Sequence, residues 1–400
     1  MNKIKPLLSF FLISFLVLAS FPQHIVKAQG STIYIRADGS VESTDKIQRI
    51  GDVYTLIDDI NGSIVVERNN IVLDGSGFIL QGTSNQPGGD WDFVNVNLSS
   101  RKNVTIKDMA IKYAGHDTMQ VFDSSNCSIL NTTIFITQGY YPPRIHLKNS
   151  SNNFISGNYG QIYLEESDDN ILVDNPGSVI LSKSLNNLII GNRDIELNES
   201  SNNTISGNNS SISLKSMSTG NTISENTGFI GLWQCSNNSI NGNNGDILVF
   251  ESNNNTVTQN NVTNHEPFGI QLAYSSGNLF SENIIQNCKL DIRFVVNSTF
   301  YHNNFLNVSI DIIENTTLFW DNGTQGNYWS NYKGTDNNAD GIGDTPYIIN
   351  EENQDNYPLM KPVDINTIPE FQSWLILPLF LVLAPIVVVI RNKTTKNEVE

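Results

Sequence analysis

Single apolar residues recur along most of the chain with the period of a β-strand, and small polar residues fill the gaps. In "SSNNTISGNNSSISL", Ile205 stands alone between turn residues, while Ile212 and Leu214 alternate with serine. The pattern returns in "SSNNFISGNYGQIYL", "SLNNLIIGNRDIEL" and "CSNNSINGNNGDILV". Aligned on one asparagine, these copies and their neighbours place Asn153, Asn170, Asn187, Asn203, Asn221, Asn238 and Asn255 at spacings of 17, 17, 16, 18, 17 and 17 residues. A fixed period of this length, with short alternating runs between polar turns, predicts an all-β solenoid of parallel coils. One coil cannot bury its inward residues; coils stacked at about 4.8 Å can. The repeated asparagine is expected at a turn, where it tolerates left-handed backbone, with its amide stacked on its equivalents as a ladder. The many Asn-x-Ser/Thr triplets, Asn202 with Thr204 among them, follow from the same repeat.

Outside this zone the coils lengthen. Asn103 to Asn126 is 23 residues, Asn126 to Asn153 is 27, and Asn255 to Asn278 is 23. The added segments are Tyr113–Thr118, Thr137–Arg144 and Thr263–Phe268. They predict a narrow waist of some six coils, roughly 29 Å long, between bulkier coils. With the insertions on one side, that waist is a groove for an elongated ligand.

The ends read as membrane signals. Lys3 and Lys5 precede the apolar run Pro6–Ala19, and Val26-Lys27-Ala28 is a small-residue cleavage site, so residues 1–28 read as a secretory signal peptide. "WLILPLFLVLAPIVVVI", Trp374–Ile390, is uncharged and just long enough to span a bilayer. Arg391, Lys393 and Lys396 follow it and assign the tail, 391–400, to the cytoplasm. Between these ends the layout is an N-terminal cap with first coils (29–100), repeats (101–318), a capping segment (319–362) and a linker (363–373). The net charge of −17 excludes a nucleic-acid partner, since nothing basic could neutralise phosphates. Cys127, Cys235 and Cys288 form no CxxC pair, and Cys127 and Cys235 fall some six coils, about 29 Å, apart, beyond disulfide reach.

The outward positions of the strand before the asparagine turn carry the candidate chemistry. One row reads Gln120, His146, Tyr163, Ile180, Glu196, Ser213, Gly231, Leu248, Gln271, and the next reads Phe122, Lys148, Glu165, Ser182, Asn198, Lys215, Trp233, Phe250, Ala273. Neither row sets carboxylates on neighbouring coils, as a glycosidase pair requires; Asp117 and Glu266 in the insertions could supply one. Rings among hydroxyls and amides suit the faces of sugars. The ligand-binding candidates are Arg144, His146, Tyr163, Glu165, Trp233 and Phe250, with the mixed Arg144–His146–Tyr163–Glu165 spot first.

"DNNADGIGD", Asp336–Asp344, resembles a calcium loop. Asp336, Asn338, Asp340 and Asp344 fall at positions 1, 3, 5 and 9, with the Ile342 carbonyl at 7, but Tyr347 stands where an EF-hand has its bidentate glutamate. The loop therefore reads as a structural calcium clasp, within a segment whose Tyr328, Trp329, Tyr332 and Tyr347 cover the solenoid end.

Three stretches are similar to the NosD-like right-handed parallel β-helix family: Thr32–Val41 with Gly62–Gly82, the "SNNTISGNN" coils, and Gly326–Met360. The resemblance implies a single-stranded right-handed helix of the carbohydrate-binding and sugar-hydrolase type, and a membrane-tethered surface protein of archaeal kind. It also brings copper as a cofactor. Copper prefers clustered Cys, Met and His, and the best such group is His116, Met119 and His146. The reading is a cell-surface, membrane-anchored binding or scaffold module for envelope carbohydrate or a partner protein. The alternatives are an accessory in copper-site assembly and a polysaccharide lyase or hydrolase.

Overall fold

Alternation decides which side of each strand is wet. In Ile212–Lys215 the side chains of Ile212 and Leu214 are buried and those of Ser213 and Lys215 face outward. Stacked copies bring the inward residues into columns, such as Ile162, Val179, Ile195, Ile212, Ile230 and Ile247, which form one continuous core. The computed structural model describes residues 31–82, 93–112, 116–135, 142–264, 269–313 and 316–365. Among them the chain is all β, a parallel β-helix with no α-helix. The expected signal peptide and membrane span lie outside the described residues.

Each coil has a first-face strand, for example Gln161–Glu165, and a second-face strand, for example Ile171–Val173. The second-face strands form one 15-stranded sheet. A third face forms strands only towards the ends. Ile79–Gln81, Ala110–Lys112 and Thr133–Ile134 build it on one side, and Asn261–Thr263, Ile284–Gln286, Asn304–Leu306 and Tyr328–Trp329 on the other. Between them it shrinks to isolated bridges such as Thr227 with Asn244. The cross-section therefore narrows in the middle coils. Each insertion follows a third-face strand and returns to a first-face strand, so all three leave the coil at one corner; 113–115, 136–141 and 265–268 lie outside the described residues.

The repeated asparagines divide the two roles expected of one residue. Left-handed backbone belongs to the preceding residue: Asn152, Asn186, Asn202, Asn237 and Asn254 have φ of 58°, 56°, 57°, 57° and 54°. The aligned asparagines are instead buried. From Asn153 to Asn278, each backbone N–H and Nδ2 donates to the Oδ1 of the next at 2.8–3.2 Å. Turning the main chain and filling the corner are incompatible for one side chain, because the turn residue points outward. This corrects the alignment further upstream. Asn103 and Asn126 are turn residues, with φ of 55° each, and Cys127 takes the ladder place, donating its N–H to Asn153 Oδ1 from 26 residues away.

A second ladder, not anticipated, runs five residues later through Asn158, Asn175, Asn192 and onward to Asn303 and Asn327. A third uses serine hydroxyls: Ser150, Ser167, Ser184 and Ser200 each donate a backbone N–H to the next Oγ at 3.1 Å. Every one of these side chains satisfies main-chain groups that a corner would otherwise strand without water. At the far end Trp329 stacks between Phe305 and Tyr347, at 4.3 Å from each, and closes the core.

Candidate binding face

The strand register sets the first-face rows as the sequence predicted. His146 pairs with Tyr163, Lys148 with Glu165, Lys215 with Trp233, and Trp233 with Phe250. Four of the six ligand-binding candidates meet in one cluster. His146, 4% exposed, sits with Nδ1 2.9 Å from Asp117 Oδ2 and Nε2 3.1 Å from Glu165 Oε2. Arg144 Nε donates to Asp117 Oδ1 at 2.6 Å and its guanidinium lies 4.2 Å over the Tyr163 ring. Lys148 Nζ donates to Glu165 Oε1 at 2.8 Å. The imidazole also packs edge-on against Phe122. Asp117, from the first insertion, joins the candidates in the cluster.

The electrostatics lock the cluster. Burial alone would raise the Asp117 carboxyl, but hydrogen bonds from His146 and Arg144 outweigh it and hold the group at about 2. Burial raises Glu165 in the same way, and Lys148 and His146 hold it below the usual carboxylate range. Both ring nitrogens face carboxylates, so His146 braces the cluster. The surface left for contact is Tyr163, Arg144 and the edge of Glu165.

Trp233 and Phe250 do not join this cluster. Four coil steps, Ser182, Asn198, Lys215 and then Trp233, separate Glu165 from the indole, roughly 19 Å. There the middle row is Gly231. A Cβ built on it would stand 2.2 Å from Trp233 Cη2 and 2.8 Å from the Phe229 ring. The glycine thus lets the indole lie down across the sheet, and Gly231 is buried beneath it. The indole, tilted against Phe229, stays partly exposed on the outward side of the strand.

The middle row continues past Gln271 to Asp291 and then Asp311, directly paired on neighbouring coils. The sequence rows stopped short of this pair, because the 17-residue rhythm fails after Asn255 and the register could not be counted on. Each carboxylate has its own cation: Arg293 Nε reaches both Asp291 oxygens at 3.0 and 3.1 Å, and Lys289 Nζ reaches Asp311 at 2.9 Å.

The copper group does not assemble. Met119 is fully buried, its strand turning it into the core beside Val96 and Ile145, while His146 faces out and is held by carboxylates. Cys127, Cys235 and Cys288 are buried singly. Among the described residues no cluster of three or more His, Cys, Asp or Glu is arranged to hold a metal. In the terminal loop, Asp336 Oδ1 and Asn338 Oδ1 converge on the Asp340 N–H, at 3.2 Å each. Asp340 Oδ1 accepts from Ile342 N, and Asp344 turns instead to Asn337.

Residues 60–334 match the family described as periplasmic copper-binding protein (NosD). No curated protein matches the chain. Similar solved structures include the periplasmic alginate epimerase AlgG, at 12% identity and a TM-score of 0.35, covering 72% of this chain and 82% of that one. A mannuronic acid specific polysaccharide family 6 lyase from human gut microbiota gives 13% and 0.36, covering 69% and 78%. The GH136 lacto-N-biosidase from Eubacterium ramulus gives 10% and 0.30, covering 69% and 58%. Likeness this distant says nothing of activity.

Proposed function

Starting from a chain that belongs to the periplasmic copper-binding protein (NosD) family, we propose that it is a carbohydrate-binding platform on the outer side of the cell membrane. The observation that carries this is Trp233 laid across Gly231, flanked by Phe250, Ser213 and Lys215 on a sheet face that water reaches. Aromatic faces beside hydroxyl, amide and ammonium groups match a pyranose, which is apolar on one side and polar at its rim. The Arg144–His146–Tyr163–Glu165 cluster supplies a second contact point further along the same face. Coils of the usual right hand, the signal peptide and the C-terminal span present this face outside the cell. The Asp336–Asp344 loop serves as a clasp behind it, closed by its own hydrogen bonds, which calcium would have to draw together. Titration of oligosaccharides into the full-length protein tests the reading. Trp233→Ala is expected to abolish binding; binding that survives it unchanged would sink the proposal.

A second reading rests on Asp291 and Asp311. Carboxylates one coil apart approach the spacing of a retaining glycosidase pair, about 5 Å. Release of reducing sugar that stops in Asp311→Asn would establish it. The copper accessory role lacks a ligand set among the described residues.

A further inference from the structure

The turn that ends each first-face strand is left-handed in coil after coil, and its residue is almost always polar. Asn149, Glu166, Lys183, Glu199, Gln234 and Glu251 hold φ between 48° and 59° there. The next two coils break the rule. Tyr274 and Phe294 occupy the same turn with φ of 51° and 54°, and their place is fixed by the Tyr274 N–H donating to the Arg293 carbonyl. Bulky side chains disfavour this backbone, whereas asparagine and glycine accept it readily. Burial does not compensate: Tyr274 is 54% exposed and Phe294 44%. An exposed aromatic pair at a turn where the preceding coils place polar residues points to use.

The two rings stack, 5.0 Å apart and 19° from parallel, and Phe250 meets Tyr274 edge-on at 5.6 Å. Phe250 is in turn the strand neighbour of Trp233. Four aromatic residues therefore follow one another up four consecutive coils, a strip about 14 Å long that runs along the solenoid axis. Arg293, held by Asp291, and Lys289, held by Asp311, stand beside its upper half with polar atoms for a hydroxyl-rich partner.

Building on the carbohydrate reading, we propose that Trp233, Phe250, Tyr274 and Phe294 form the subsites of an extended, uncharged polysaccharide chain lying parallel to the axis. Successive rings at the coil rise line a linear polymer with one continuous apolar edge, where a single ring would reach only one sugar. The absence of formal charge on the ligand follows from the net charge of −17, which repels polyanions, and from the ion pairs that already neutralise Arg293 and Lys289.

The experiment is calorimetric titration of the full-length protein with linear glucan oligosaccharides from disaccharide to hexasaccharide, and with a uronate hexasaccharide. Affinity is expected to rise with length. Tyr274→Gly and Phe294→Gly, which suit the left-handed backbone, are each expected to weaken the hexasaccharide about tenfold. They should leave the disaccharide and the melting temperature unchanged. Unchanged hexasaccharide binding in both variants, with binding still lost in Trp233→Ala, overturns the strip and spares the platform. Tighter binding of the uronate overturns the assignment of an uncharged ligand. No binding of any oligosaccharide to the unmodified protein overturns both readings.

Discussion

Asp355 Oδ2 accepts the backbone N–H of Asn327 at 2.7 Å, and so holds the place that an asparagine fills in each earlier coil of the second ladder. The backbone N–H groups of that ladder all donate towards the C-terminal end, so a carboxylate there receives the last of them. It also takes the Trp329 indole N–H at 2.8 Å and, through Oδ1, the Tyr357 N–H at 3.0 Å. One side chain thus ends the ladder and pins both the lid tryptophan and the returning chain.

Burial pushes the Asp355 carboxyl up to about 6, against the hydrogen bonds that favour its charge. The folded state then keeps a proton that the unfolded chain has lost between roughly pH 4 and 6, so stability falls as pH rises through that window. The loss is on the order of 3 kcal/mol. Thermal melts from pH 4 to 7 should show this decline in the natural protein and a flatter profile in Asp355→Asn. Identical slopes would remove the group from the account.

Neighbouring asparagines should respond oppositely to substitution. Asn187 carries the Asn170 N–H and Nδ2 and donates to Ser167 O, all buried, so Asn187→Ala strands several polar groups and should cost about 2–4 kcal/mol. Asn186, with φ of 56°, serves only its backbone, and Asn186→Gly should change stability by less than about 0.5 kcal/mol. Chemical denaturation of the two variants checks the contrast.

That contrast also marks what could be read from the sequence. The period, the two strands per coil and the outward rows were legible because side-chain alternation is rigid over a strand. Which of two adjacent asparagines faces inward was not, since both are polar and only the corner geometry separates them. The second ladder did leave a signal, the asparagine in "SGN", "VDN", "IGN" and "SEN", five residues after the first. Arg144, His146, Tyr163 and Glu165 could be grouped by coil spacing, whereas Asp117 arrives from an insertion whose path no period dictates. Met119 was misplaced for the opposite reason: its neighbours in sequence are polar, but its parity in the strand sends it inward.

The His146 cluster should be an acid-sensitive point. Asp117 is held at about 2, below its unfolded value, so its stabilisation is complete above roughly pH 4 and is lost as pH falls through 2. The contribution is on the order of 2 kcal/mol. Acid titration followed by far-ultraviolet dichroism should show Asp117→Asn already weakened at neutral pH and less sensitive between pH 4 and 2. Parallel acid curves would mean that Asp117 is not coupled to folding.

Calcium is expected to raise the melting temperature of the full-length protein, and a chelator to reverse it. Asp340→Ala removes the carboxylate oxygens that accept from Asn338 Nδ2 and the Ile342 N–H, so the calcium-dependent part should vanish. A melting temperature indifferent to calcium before any substitution ends that proposal and leaves the loop as a polar clasp.

Cys235 stands in the serine ladder, donating its N–H to Ser252 Oγ at 2.9 Å while its thiol reaches the Trp233 carbonyl at 3.1 Å. Ser184 and Ser200 make the same pair of contacts with hydroxyls, so Cys235→Ser replaces a weak donor by a strong one in a site already shaped for it. The change should be neutral or stabilising by up to about 1 kcal/mol. Burial pushes the thiol up to about 11, so almost none is thiolate at neutral pH and alkylation should wait for unfolding. Cys127 tests the idea from the other side. It holds an asparagine place, and Cys127→Asn should extend the first ladder by one coil, raising the denaturation midpoint where Cys127→Ser does not. Equal effects of the two substitutions would show that the ladder places are not specific to the groups that fill them.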